Sequence, residues 1–105
     1  MSPASDDNEA ILAQVESLGG GYVWESEIFA VTLIDVELED KDVDRLPELI
    51  GVQQIALNAE RLSFETLHRI ARIPQLESLV LRGCSLSPKQ MEALASLGPE
   101  IEVVS

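Results

Sequence analysis

A 24-residue pattern runs three times, back to back, through this chain, and it leaves few ways to fold. Leu76-x-x-Leu79-x-Leu81-x-x-Cys84-x-Leu86 matches Val52-x-x-Ile55-x-Leu57-x-x-Glu60-x-Leu62 one step earlier. A further step back gives Ile28-x-x-Val31-x-Leu33-x-x-Val36-x-Leu38. The phase continues through Val43, Leu67 and Met91, then Leu46, Ile70 and Leu94, then Leu49, Ile73 and Leu97. Of the 24 positions in these eight columns, only Glu60 is not apolar. Such a register belongs to stacked units that share one core, since a single unit cannot bury its own apolar flank. It points to a protein-binding scaffold rather than a catalyst.

The 105 residues and 46% apolar content suit one folded domain. No stretch reaches the roughly 20 apolar residues that span a bilayer. Met1 to Glu9 is acidic and polar, unlike a signal peptide. A cytoplasmic, soluble protein is therefore expected. A single cysteine excludes an internal disulfide and any multi-cysteine metal site, and Cys84 falls in a core column as a small apolar residue. Neither a metal nor a cofactor is expected. Residues 1–50 hold 13 acids and 2 bases, a net of −11, whereas residues 51–105 hold 6 acids and 5 bases, a net of −1. That field repels nucleic acid and anionic membranes and attracts a basic protein partner. Acidic solubility is the plainer reading of the same charge.

Residues 1–27 read as a tail and cap, and residues 28–105 as three repeats with a terminal strand. After a frayed segment 1–5, a helix is expected from Asp6, with Glu9 near its positive end and Ile11, Val15 and Leu18 on one face. Gly19-Gly20-Gly21 stops it, and Tyr22–Trp24 forms a short strand that turns at Glu25–Glu27 into the first repeat strand. Covering the first unit's apolar flank is the work of this cap, so Tyr22 and Trp24 read as cap packing, with binding anchors the alternative. Strands are expected at Ala30–Ile34, Gln54–Asn58 and Ser78–Arg82, sending Val31/Leu33, Ile55/Leu57 and Leu79/Leu81 into the core. Ser63 starts a helix over Phe64 to Ala71. Ser87, Pro88 and Gln90 form a capping box for another. In the first unit, Pro47 makes the corresponding helix short or irregular. Ile101 to Val104 give a fourth strand whose free edge invites pairing with a second copy, which Glu100 and Glu102 oppose; a monomer is expected ahead of such a dimer.

This pattern resembles the leucine-rich repeat family over residues 28–99, with a fragment at 100–105. Leu76 to Leu86 fits the family consensus fully, while Val36 and Glu60 depart from the column that takes asparagine or cysteine. The segment from Ala10 through Gly20 is similar to the N-terminal caps of small bacterial members. The resemblance implies an α/β solenoid, a short right-handed arc with parallel strands on the concave face and helices or helical turns on the convex face. The family's usual work, recognition of a protein or peptide on the concave face, then falls on the outward strand positions. Thr32, Ile34, Gln54, Ala56, Asn58, Ser78, Val80, Arg82 and Glu102 are the candidate contacts, together with Ala30, Glu100 and Val104. A neutral, solvated sheet without a ligand is the alternative.

Asp35, Glu37, Glu39, Asp40, Asp42 and Asp44 form the strongest polar feature. Calcium needs 6–8 oxygen ligands. This run has no central glycine and no closing acid, and Leu38 and Val43 inside it belong to core columns. It reads as a solvated rim, or as an acidic patch that would let the chain act as an inhibitor or immunity-type protein against a basic toxin or nuclease. His68, the only histidine, lies between core positions and faces no nucleophile motif. Gly19-Gly20-Gly21 follows a helix rather than a strand and is not a phosphate loop. No catalytic constellation is left.

Overall fold

The computed structural model describes residues 3–83 and 86–104. It is a mixed α/β chain built on one five-stranded sheet in the order β1-β2-β3-β4-β5. Helix α1 (Pro3–Ser17) leads into β1 (Gly21–Trp24) and β2 (Phe29–Leu33). Two 3-10 turns, Asp40–Asp42 and Leu46–Glu48, precede β3 (Gln54–Asn58). Helix α2 (Phe64–Ala71), β4 (Ser78–Arg82), α3 (Pro88–Ala95) and β5 (Glu100–Val104) complete the chain. The β1–β2 pair is antiparallel, and the three later pairs are parallel.

Local chemistry accounts for the elements. Ser63 accepts from the Thr66 amide at the start of α2. At α3, Ser87 and Gln90 exchange bonds as a capping box with Pro88 at the first position. Gly19 ends α1 at φ +99, where a side chain would be strained, and a Cβ on Gly20 would collide with the Leu33 side chain and the Thr32 carbonyl. Pro47 leaves the first unit with two tight turns where the second unit has a helix. Gly51 and Gln75, one 24-residue step apart, both sit at positive φ (+88 and 73) before a strand.

The strands stack in the step of the sequence. Ala30 pairs with Gln54 and Gln54 with Ser78, a step of 24 each time, whereas Ser78 pairs with Glu100 after 22. Backbone bonds continue the ladder beyond the strand starts: Gln53 N–H to Phe29 C=O (2.8 Å), Glu77 to Gln53 (2.7 Å) and Glu100 to Glu77 (2.9 Å). One sheet face carries the buried Val31, Leu33, Ile55, Leu57, Leu79 and Leu81, in one cluster with Leu12 and Val15 of α1, Leu67 and Ile70 of α2, and Leu94 of α3. The other face is open.

Four expectations need correction. Helix α1 begins at Pro3, so Asp6 lies inside it and residues 3–5 are not a frayed tail. Ile28 is 52% exposed, because the hairpin pairs Phe29 with Trp24 and turns Phe29 inward. Strand β2 ends at Leu33, so Ile34 lies in the following turn. Leu86, Met91 and Leu97 of the third unit are only half-buried, since α3 and β5 form the outer flank of the sheet, and Val36 in the turn after β2 is half-buried as well. Cys84 lies outside the described residues.

Candidate functional site

The open face is built by the alternate residues of each strand. Ala30, Gln54, Ser78 and Glu100 form one row, and Thr32, Ala56, Val80 and Glu102 the next. Small side chains at Ala30, Ala56 and Ser78 sit lower than Val23 and Val80, which leaves a shallow depression of ≈ 310 Å³. Thr32 and Gln54 add a hydroxyl and an amide to a lining that carries no charged residue. Such a floor accepts apolar side chains and offers a few directional hydrogen bonds.

Of the expected contacts, the depression gathers Ala30, Thr32, Gln54, Ala56, Ser78 and Val80 and leaves out Ile34, Asn58, Arg82, Glu100, Glu102 and Val104. Asn58 is occupied locally: its side-chain oxygen accepts the Glu60 N–H at 3.2 Å. Arg82 reaches across to the first unit and donates to Asp35 at 3.0 Å. Tyr22 and Val23 line the depression as well. The sequence signal for Val23 is hairpin alternation, since it pairs with Ala30 and shares that face. Trp24 stacks on the buried Phe29, with ring centroids 5.3 Å apart.

The acidic run has mostly structural roles. Asp35 meets Arg82, and the Glu39 N–H donates to the Asp42 carboxylate at 2.9 Å within the first 3-10 turn. Glu39 also meets Lys41 at 3.3 Å. Asp40 accepts the Ser63 N–H at 2.9 Å, tying the first unit to the start of α2. That backbone bond holds the Asp40 carboxyl below its ordinary range; slight burial opposes it, and the Thr66 and Ser63 side chains and Arg69 assist. A lowered carboxyl stabilises the fold above its unfolded pKa and stops doing so as the pH falls through the folded one. Wild-type protein should therefore lose stability below about pH 4, and Asp40→Ala should flatten that loss, read from urea midpoints at pH 6 and pH 3. Glu37 and Asp44 are exposed. Among the described residues, no three His, Cys, Asp or Glu side chains converge as metal ligands. His68 is half-buried, its ring tilted against Phe64 at 5.7 Å.

The periodicity gives no hint of Asn8, which is 3% exposed although polar. Its side chain accepts the Ile50 N–H at 2.9 Å and donates to the Ile50 carbonyl at 3.0 Å, clamping α1 to the loop before β3. The available signal is position, since Asn8 lies one turn before Ile11 and Leu12 on the buried face of α1. Among the described residues, no helix is long and apolar enough to cross a membrane. Comparisons with protein-family models, curated proteins and solved structures find no match for this chain.

Proposed function

We propose that the chain is a short leucine-rich-repeat solenoid of the cytoplasm, without catalytic activity, which binds a protein or peptide on its strand face. The observation that carries this reading is the uncharged depression over Ala30, Ala56 and Val80, on a sheet face that no other element of the described residues covers. The 24-residue strand register, with helices on the opposite face, supports the family assignment. Neutral rows at the centre and charge only at the margins favour a partner segment that places apolar side chains on the floor.

Paired substitution Ala56→Lys with Val80→Lys should weaken partner binding at least tenfold while leaving the thermal midpoint almost unchanged, because both side chains face away from the core. Titration calorimetry with a partner captured by the wild-type protein reads this out. Unaltered affinity in a folded double variant would end the proposal.

The second reading, an acidic inhibitor of a basic toxin or nuclease acting through residues 35–44, draws on the −11 net charge of residues 1–50. Less supports it, since Asp35, Asp40 and Asp42 already hold internal partners. Binding that is indifferent to salt would count against it.

A further inference from the structure

The two most exposed large apolar side chains among the described residues lie outside the depression on the open face. Ile28 and Ile50 are 52% and 55% exposed, and they meet Trp24 in a hollow of ≈ 150 Å³ beside the β1–β2 turn. A second hollow of ≈ 310 Å³ shares Ile50 and Gly51 with the first and runs on to Pro47 and Pro74. Both are held from behind. Trp24 rests on the buried Phe29, and the Ile50 backbone is fixed at both its N–H and its carbonyl by Asn8. An apolar surface kept rigid in water gains by being covered, and little ordering entropy remains to be lost when that happens.

Charge indicates what covers it. Glu25 and Glu27 line the first hollow and Glu48 the second, and no lysine or arginine lines either. Among the described residues, only Glu48 of these three meets a cation, Arg45 at 3.4 Å. Carboxylates set around exposed isoleucines complement a chain segment that carries apolar side chains flanked by lysine or arginine. Residues 35–44 offer no such combination, since Leu38 and Val43 are buried and Val36 packs partly buried against the core.

We propose that the surface formed by Trp24, Ile28 and Ile50 with Glu25 and Glu27 is a second docking site, separate from the open face, for a basic and apolar segment of a partner protein. It does not depend on the open-face reading, and either can fail alone.

Trp24 is the only tryptophan, so its emission reports on this surface directly. The probe is a synthetic leucine/lysine peptide without tryptophan, compared with versions in which glutamate replaces lysine or serine replaces leucine. Saturable blue-shifted emission is expected with the leucine/lysine peptide alone. Ile28→Ser with Ile50→Ser should weaken it about tenfold, and Glu25→Gln with Glu27→Gln severalfold with a flatter salt dependence. Ala56→Lys with Val80→Lys should leave it unchanged. Circular dichroism melts establish that each variant is folded. An equal response to the serine/lysine peptide, or full binding by the folded Ile28/Ile50 variant, would overturn the proposal. So would a dimer mass in light scattering that the Ile28/Ile50 variant abolishes, because the occupant would then be a second copy.

Discussion

Leu57→Ala and Leu81→Ala are each expected to lower the unfolding free energy by about 2–5 kcal/mol. The two side chains pair in register on the covered face, and both are 0% exposed. Each is wedged between neighbouring strands, so truncation removes buried area and leaves a void that the flanking units cannot close without shifting. Domains of this size hold only about 5–15 kcal/mol in total, so either change removes a large share. Val103 supplies the control. It pairs with Leu81 in the same column but is 47% exposed, and Val103→Ala should cost under about 1 kcal/mol. Urea midpoints with an unchanged slope measure all three. A loss below about 1 kcal/mol for Leu57→Ala would mean that the core register is misplaced.

Asn8→Ala is expected to cost about 2–3 kcal/mol, more than its single polar side chain suggests. Removal leaves the Ile50 N–H and carbonyl without their partner at a partly buried position, and the cost of that desolvation exceeds the net worth of the bonds themselves. Asn8→Asp separates the two bonds. It keeps an acceptor for the Ile50 N–H but sets a second oxygen against the Ile50 carbonyl. Only a protonated carboxyl could donate to that carbonyl, so the deficit of this variant should shrink as the pH falls through the pKa of the introduced acid. Denaturation followed by Trp24 emission gives both results. Equal stability of wild type and Asn8→Ala would show that α1 is held by Ile11, Leu12 and Val15, with the Gln14 bond to the Asp42 carbonyl, and not by the Asn8 clamp.

Wherever two independent rules agree, the chain can be read directly. Strands β3 and β4 carry period-2 alternation at 24-residue spacing, and α2 and α3 carry serine caps as well as apolar spacing. Both pairs lie where that reading sets them. The rules part at residues 28 and 29. Repeat spacing assigns Ile28 to the core, whereas alternation counted back from Val31 assigns Phe29. The antiparallel hairpin decides for Phe29. About half of the expected open-face contacts line the depression, because pairing in the sheet is local and legible. Arg82 and Asn58 depart from expectation for a different reason. Their partners, Asp35 and the Glu60 N–H, are set by side-chain reach, which spacing does not encode. Asn8 escapes a reading by periodicity because its partner is a backbone group 42 residues away.

The steps from β2 to β3 and from β3 to β4 are both 24 residues, yet β4 to β5 takes 22. The strands themselves keep their length, so the whole difference is absorbed in the return through α3. An added or deleted residue within a strand would turn every later side chain in it to the wrong face. The same change in an exposed part of a return segment, away from buried positions such as Leu67, Ile70 and Leu94, alters how far the chain detours before coming back into line. Tolerance to insertions and deletions is therefore divided by position within each unit, lowest in the strands and in buried helical positions such as Leu67 and Ile70, and highest in the exposed parts of the return. Lengthening the returns would remodel the helical side of this molecule and leave the strand face as it is.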